Sequence, residues 1–339
     1  MQDTPTDTSG RVACLGEALV LVSPADSASA AERHLGGADA NVAAGLAAYG
    51  VPASFISRRG ADEYGDFVHT ELSARGVDIS ALEVDPVRPT GRYSKVTDID
   101  ETGELRSESR YHRAGSAASA MSPEFLDTPE VAATLKRASV VHCSGITPSL
   151  SDSCRALMRR LLGDRPGISG LVSFDVNWRE QLWPDGDPRV VVELANQADL
   201  VLVGADEAIR VMGTDDPVAL RRILPHPATL VVKDGSHCAL AVGRNGETVA
   251  VPALRVNVVE PVGAGDAFAA GYLSGVVRGD DIAACLRRGH IGAAATLTVV
   301  ADSAPPPPQD VMRRLLTCSA QDWAATTVSA EGFSTPEVR

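Results

Sequence analysis

Short, continuous apolar runs recur along the chain and alternate with segments of helical periodicity. Strands covered on both faces of a parallel sheet are apolar throughout, so these runs predict a buried parallel sheet. The predicted strands are Val12–Leu19, Ala53–Ser57, Ser139–Cys143, Leu171–Val176, Leu200–Val203 and Leu230–Val232. The predicted helices are Asn41–Tyr49, Tyr64–Ala74, Ser151–Leu162, Pro188–Gln197 and Ala205–Val211. The alternation predicts a doubly wound α/β sandwich.

Two stretches follow a hairpin pattern instead. Strand-like runs at Arg92–Thr97 and Arg106–Arg113 flank a turn near Asp100–Gly103, and we expect this insertion to form a lid. A second hairpin is predicted around Asn245-Gly246, with strands Leu240–Val242 and Thr248–Val251.

Both ends of the chain are polar and lack clear periodicity. We therefore expect one domain over residues 11–316, with flexible tails at 1–10 and 319–339. The four prolines of Pro305–Pro308 predict either a stiff connector or the start of a final helix near Gln309–Leu316.

Composition narrows the possible partners. The formal net charge is −13, which disfavours nucleic acid and anionic membranes as partners. The six cysteines include no C-x-x-C pair, and no stretch is long and apolar enough to span a membrane. The polar N-terminus lacks the apolar segment of a signal peptide, so a cytoplasmic location is expected.

The run Gly263-Ala264-Gly265-Asp266 precedes a helix of small residues. Glycines expose consecutive N–H groups, and a helix N-terminus favours an anion. Asp266 beside such an anion hole suits phosphoryl transfer, because a carboxylate can take the proton of an attacking hydroxyl. The spacing alone fits an ordinary helix start equally well.

The run Gly36-Gly37-Ala38-Asp39-Ala40-Asn41 also opens a helix. A ligand can approach the glycine backbone closely, and the Asn41 amide can bind hydroxyl groups. By itself this pattern is equally that of a loop and helix cap. The chain has no G-x-x-x-x-G-K-[ST] sequence and no early glycine fingerprint, which argues against P-loop and Rossmann nucleotide sites.

Together the two runs resemble the signatures of the ribokinase (pfkB) family of carbohydrate kinases. The second signature departs at its first position, where Glu260 replaces the usual Asp. The resemblance implies a three-layer α/β/α sandwich with a mostly parallel sheet and a small β-sheet lid, here about 18–35 and 88–113. It also implies ATP and Mg²⁺ as cofactors, Asp266 as the catalytic base, and an anion hole from Gly263, Ala264, Gly265 and Asp266.

Three further runs resemble 2-keto-3-deoxygluconate kinases: Tyr111–Ser119, Ser144–Pro148 and Asp175–Arg179. The resemblance implies phosphorylation of 2-dehydro-3-deoxy-D-gluconate, a sugar acid, at its terminal hydroxyl to give the 6-phosphate. Guanidinium groups bind carboxylates bidentately, which suits such a substrate. The implied substrate residues are Gly37, Asn41, Tyr93, Tyr111, Arg113, Arg179 and Asp266. A fructokinase or other ketose kinase is the alternative, and a non-catalytic sugar- or nucleotide-binding regulator is a third.

The nucleotide side is also implied by resemblance. Glu207 matches a family glutamate that holds magnesium through water, although the usual Asn before it is Gly204. The implied nucleotide-binding residues are Lys233, Gly235, Ser236, Gly263, Gly265, His290 and Ala293. Cys238 replaces a usual glycine, so the turn before it is expected to be distorted. Because lids of this family often pair edge strands between subunits, a homodimer or larger homo-oligomer is expected.

Overall fold

The computed structural model describes residues 10–22, 33–99, 105–183 and 186–335, with only the backbone for 95–99 and 105–109. Its strands are β1 (Val12–Leu15), β2 (Leu19–Val22), β3 (Arg33–Gly36), β4 (Ala53–Gly60), β5 (Leu82–Asp85), β6 (Arg92–Ile99), β7 (Leu105–His112), β8 (Val140–Ser144), β9 (Leu171–Asp175), β10 (Leu200–Gly204), β11 (Thr229–Asp234), β12 (Cys238–Gly243), β13 (Thr248–Pro252), β14 (Arg255–Val256), β15 (Thr327–Ser329) and β16 (Gly332–Ser334). Its α-helices are α1 (Ala38–Ala48), α2 (Glu63–Ala74), α3 (Pro129–Arg137), α4 (Asp152–Gly163), α5 (Pro188–Ala195), α6 (Ala205–Met212), α7 (Pro217–Ile223), α8 (Ala264–Val276), α9 (Ile282–Leu297), α10 (Gln309–Thr317) and α11 (Ala320–Ala325).

A large sheet forms the centre of the molecule. Within the described ranges its strand order is β13-β12-β11-β10-β9-β8-β1-β4-β5. The strands from β11 to β5 pair in parallel, and the hairpin β12–β13 adds antiparallel pairs at one edge. The prediction of a mostly parallel sheet is confirmed. Because β1 lies between β4 and β8, the order reverses there, and such a switch point opens a crevice at the carboxyl ends of the strands.

Helices cover both faces of the large sheet. In β1, Val12 and Cys14 pack into the cluster under α1, α2, α8, α9 and α10. Ala13 and Leu15 point the other way, into the cluster under α3–α7. This burial on both sides explains why the strand is continuously apolar, and it makes the fold an α/β/α sandwich. No helix in the described ranges has the length and apolar content needed to cross a membrane.

A separate small sheet has the order β3-β2-β6-β7. The prediction of a single strand over Val12–Leu19 is therefore wrong, because β1 belongs to the large sheet and β2 to the small one. The chain passes between them at 16–18, where Glu17 is buried. An apolar run continues on both sides of this break, so periodicity does not detect it. The turn predicted near Asp100–Gly103 lies outside the described residues, and so do residues 23–32 of the predicted lid segment 18–35.

The C-terminal region differs from the expected flexible tail. Residues 319–335 form α11 and the hairpin β15–β16, and β15 pairs in parallel with β14. Trp323 is 1% exposed, and its Nε1 donates to the Pro252 carbonyl at 2.8 Å. The tail prediction was wrong for 319–335, because Trp323 and Val328, which form no periodic pattern, anchor the segment in the core. Pro308 is the N-cap of α10, which agrees with the helix-start alternative for the proline run.

Candidate active site

A cavity of about 420 Å³ opens at the carboxyl edge of the large sheet, beneath the small sheet. The loop before α1 contributes Gly37, β6 and the chain after β7 contribute Tyr93 and Arg113, and the N-terminus of α8 contributes Asp266. The structure brings together these predicted residues along its wall: Gly37, Asn41, Tyr93, Tyr111, Arg113, Arg179, Glu207, Lys233, Gly263, Gly265 and Asp266. The residues predicted to bind the sugar therefore line one cavity.

The loop before α8 requires glycine at its first position. Gly263 is the N-cap of α8 with φ +83°, and a Cβ there would lie 1.9 Å from the Asp302 carbonyl oxygen. Glu260, the departure from the signature, accepts a hydrogen bond from the Val262 N–H at 3.2 Å and so braces the loop. The first N–H groups of α8 point toward the cavity end of the helix, as is general for a helix N-terminus.

Asp266 lies in the first turn of α8 and is held by two amides. Asn41 Nδ2 donates to its Oδ2 at 2.9 Å, and Asn177 Nδ2 lies 3.5 Å from its Oδ1. Burial, with a contribution from the nearby Asp175 carboxylate, raises the pKa of Asp266 to about 7, although Asn41, Arg179 and Lys233 act in the opposite direction. A carboxylate with a pKa near neutrality is suited to accept a proton from a hydroxyl.

Sequence reasoning did not select Asp175 or Asn177 as site residues, yet both line this cavity. Lys233 Nζ lies 3.0 and 3.2 Å from the two oxygens of Asp175, and that carboxylate is 4% exposed. Asn177 has φ +37°, a conformation that non-glycine residues rarely adopt and that often marks functional sites. The available signal was their position close to Arg179, at the carboxyl end of a buried strand.

Two guanidinium groups reach the cavity, and each has an acidic partner. Arg113 Nε donates to Glu17 Oε2 at 2.7 Å, and this carboxylate also accepts from Ser116 Oγ at 2.5 Å. The Arg113 side chain is 9% exposed, whereas the Arg179 side chain is 54% exposed and donates to Glu207 Oε1 at 3.0 Å. Both arginines thus line the cavity, and a carboxylate partly neutralises the charge of each guanidinium group.

Two tyrosines form the wall of the cavity beneath the small sheet. The rings of Tyr93 and Tyr111 stack with centroids 5.5 Å apart, and the Arg113 guanidinium lies over the Tyr111 ring. The Tyr93 hydroxyl donates to Asp302 Oδ2. These contacts tie the small sheet to the loop after α9.

A second cavity of about 370 Å³ lies on the other side of the loop before α8. Its wall is mainly apolar and contains the predicted nucleotide-side residues Lys233, Gly235, Ser236, Gly265, His290 and Ala293. Pro261, Gly265 and Lys233 line both cavities. The two cavities therefore meet at the anion loop.

His290 and Cys238 fit this second cavity in different ways. His290 Nε2 lies 3.0 Å from the Val251 carbonyl, and burial lowers the pKa of His290 to about 4, so the ring is neutral and donates there. Cys238 begins β12 opposite Asp234 in regular antiparallel pairing. The expected distortion of the preceding turn is absent, since Gly235 at φ +46° makes the bend and Cys238 does not.

Glu207 has both carboxylate oxygens engaged. Oε2 accepts from the Gly204 N–H at 2.9 Å and Oε1 accepts from Arg179. Across the described part of the chain, no group of three or more His, Cys, Asp or Glu side chains is arranged to hold a metal ion. Mg²⁺ keeps several waters and is usually carried on substrate phosphates, so Glu207 fits contact through water rather than direct ligation.

A polar and an apolar cavity that meet at a glycine loop beside a carboxylate agree with the carbohydrate kinase class expected from the sequence. The chain belongs to the pfkB family of carbohydrate kinases, whose family model matches residues 9–309.

Proteins similar to this chain in sequence or in structure include several sugar kinases. The 2-dehydro-3-deoxygluconokinase of Thermoproteus tenax is 34% identical over 286 residues, which cover 80% of this chain and 85% of that protein. The fructokinase of Klebsiella pneumoniae is 33% identical over 272 residues, covering 79% and 84%. A crystal structure of fructokinase from Vibrio cholerae O395, in fructose, ADP and calcium ion bound form, has a TM-score of 0.78 at 26% identity and covers 91% of this chain and 100% of that one.

Proposed function

We propose that this kinase transfers the γ-phosphoryl group of ATP to the terminal hydroxyl of 2-dehydro-3-deoxy-D-gluconate, giving the 6-phosphate. The observation that carries the proposal is the pair of guanidinium groups, Arg113 and Arg179, in the same cavity as Asp266. A sugar acid brings a carboxylate that guanidinium groups bind well. The similarity to the Thermoproteus tenax enzyme supports the same substrate.

In this proposal the sugar occupies the polar cavity and ATP the apolar one. Asp266 takes the proton of the terminal hydroxyl, while the N–H groups of Gly263, Ala264, Gly265 and Asp266 bind the phosphoryl group. Gly37, Asn41, Tyr93 and Tyr111 position the sugar. The turn at Gly235-Ser236 and the wall at His290 and Ala293 receive the nucleotide. Mg²⁺ on the phosphates, which neutralises their charge, would meet Glu207 through water.

The small sheet acts as a lid in this proposal. Tyr93 and Tyr111, which stack beneath it, line the sugar cavity, so closure over bound sugar would exclude water and limit ATP hydrolysis. The kinase domain of 11–316 would then carry the lid segments 18–35 and 88–113, with 319–335 packed against the core.

A panel of acceptors tests the substrate. The purified protein is supplied with ATP and Mg²⁺ and with the gluconate keto acid, its galactonate epimer, fructose or ribose, and ADP release is measured. We expect the highest kcat/KM with one of the two keto acids. Higher kcat/KM with fructose would refute the sugar-acid assignment.

A neutral ketose is the second candidate, and one observation favours it. Arg113 already pairs with the buried Glu17, and Arg179 with Glu207, so a neutral sugar would leave both ion pairs intact. The similarity to the Klebsiella pneumoniae fructokinase points the same way.

Arg179→Leu separates the two candidates. Loss of a charged hydrogen bond of about 1.5–3 kcal/mol predicts a decrease of about 10- to 150-fold in kcat/KM for the keto acid, with fructose activity unchanged. Arg189→Leu is the matched control, because Arg189 is exposed and pairs with Asp187 away from the cavity. Equal losses for both sugars would contradict a carboxylate-specific role of Arg179.

A further inference from the structure

We propose that the Lys233 ammonium stabilises the phosphoryl group during its transfer, and that Asp175 holds this ammonium in position. The proposal rests on the proposed kinase reaction and assigns a catalytic residue within the same site. The resemblance of this sequence to the pfkB family implies that Lys233 lies at a nucleotide-binding turn. It assigns the lysine side chain no part in the chemical step.

The position of Lys233 carries the argument. Lys233 lines both cavities, as does Gly265, so this residue lies where sugar and nucleotide would meet. A Cβ on Gly265 would lie 3.7 Å from Lys233 Nζ, so the ammonium is beside the first turn of α8. A group bound at the N–H groups of that turn would therefore have the ammonium as its neighbour on the β11 side.

Asp175 fixes this ammonium at the end of β9. It contacts Nζ through both oxygens, while β9, β10 and β11 run in parallel beneath the site. The lysine side chain is 17% exposed, and the residue lines both cavities. An ammonium has three donors, and a carboxylate on one side leaves donor capacity for phosphoryl oxygens on the other.

The charge arrangement also explains why a lysine is useful here. Arg179 is engaged with Glu207, and both Glu207 oxygens already accept hydrogen bonds. Gly204, the residue before α6, supplies no polar side chain beside Glu207. Lys233 places a cation next to the anion loop without any rearrangement of these groups.

In the step itself, the terminal hydroxyl oxygen of the sugar forms a bond to the γ-phosphorus as the bond from that phosphorus to the β–γ bridging oxygen breaks. The hydroxyl proton passes to Asp266, and the electron pair of the broken bond leaves with ADP. Lys233 keeps its proton throughout and contributes by donating to the equatorial oxygens, where negative charge is spread in the transition state. Such preorganised donors favour the transition state over the ground state.

The rival explanation is that Lys233 only neutralises the buried Asp175. Removing one partner of a buried pair leaves an uncompensated charge and destabilises the fold, so a loss of activity in a single variant would not decide between the two. The double variant Lys233→Met/Asp175→Asn removes both charges. It therefore distinguishes a catalytic role of Lys233 from a role in neutralising Asp175.

The experiment compares Lys233→Met, Asp175→Asn and the double variant with Lys136→Met, an exposed lysine near the end of α3. Turnover is measured with whichever sugar the wild type phosphorylates fastest, so a wrong acceptor assignment does not affect the result. Binding of ADP alone and of ADP with aluminium fluoride, a mimic of the transferring group, is measured by calorimetry. Thermal unfolding is recorded for every variant.

We expect Lys233→Met to lower kcat by about 10²–10³-fold, as for loss of one transition-state donor. ADP affinity should change less than about threefold, while affinity for the ADP–aluminium fluoride complex should decrease with kcat. The double variant should regain thermal stability but not turnover. Recovery of kcat in the double variant, or equal weakening of ADP and of the ADP–aluminium fluoride complex, would overturn the proposal.

Discussion

Replacing Asp266 with Asn preserves the shape of the side chain but removes its ability to accept a proton. The amide oxygen can still accept the hydrogen bond from Asn41, so the cavity should keep its geometry. Loss of a general base predicts a decrease in kcat of about 10²–10⁴-fold, with little change in sugar binding.

The same substitution should stabilise the fold. Raising the pKa of a carboxyl from its ordinary value near 4 to about 7 means that its ionised form costs the folded state about 4 kcal/mol. Because the side chain borders an open cavity, water screens part of this cost, and we expect a gain of about 2 kcal/mol at pH 8.

The sign of the pH dependence follows from these values. Below pH 4 the carboxyl is protonated in both the folded and the unfolded chain, so wild type and variant should have similar stability. Between pH 4 and pH 7 the unfolded chain loses its proton first, the wild type becomes progressively less stable than the variant, and the difference is constant above about pH 7. The titratable groups that interact with Asp266 include Asp39, Tyr93, Asp175, Arg179 and Lys233.

Urea unfolding at pH 4, 6 and 8 measures the stability difference, and initial rates across the same range measure activity. In the wild type, kcat/KM should decrease about tenfold per pH unit below pH 7, because the base becomes protonated. Asp310→Asn, an exposed aspartate in the first turn of α10, is the control. Near-normal turnover of Asp266→Asn would refute the base assignment, and a variant less stable than wild type at pH 8 would refute the burial argument.

Two further substitutions test the scaffold around the site. Gly37→Ala should destabilise the protein by more than about 2 kcal/mol, because Gly37 has φ +101° and a Cβ would lie 2.3 Å from the Glu17 carbonyl oxygen; Gly50→Ala, at φ +70° with open space around it, should cost only about 1 kcal/mol. Equal melting temperatures for these two variants would contradict the steric argument. Trp323→Ala should lower the free energy of unfolding by about 3–5 kcal/mol, because the side chain is buried. It should also raise the KM for ATP, since the Trp323 ring packs near His290 in the wall of the second cavity. Chemical denaturation and ATP titration measure both effects, and an unchanged KM for ATP would show that the contact has no influence on nucleotide binding.

The sequence predicted the sheet and the loop at Gly263–Asp266 because both depend on local pattern. Continuous apolar runs identify strands buried on both faces, and small residues before a helix identify a possible anion site. These features can be recognised in the sequence without knowing which parts of the chain contact each other in the fold.

The pairings between distant residues were not predictable in this way. Glu17 and Arg113 are 96 positions apart, and Asp175 and Lys233 are 58 apart. A charged residue in a sequence is most often solvated, and only the fold reveals that these carboxylates are buried beside a cation. Helix α11 and the hairpin β15–β16 were missed for a related reason, since two isolated buried residues, Trp323 and Val328, leave no periodic signal.

The pairing of β14 with β15 has a consequence for synthesis of the chain. Arg255 and Asn257 donate their N–H groups to the carbonyls of Thr326 and Val328, just before the loop that leads to Asp266. During translation, at about 5–20 residues per second, the residues of β15 are synthesised about 70 codons after those of β14. The pairing of β14 with β15 can therefore form only after synthesis has passed Val328, and a message truncated before Thr327 yields a chain in which β14 lacks this partner strand.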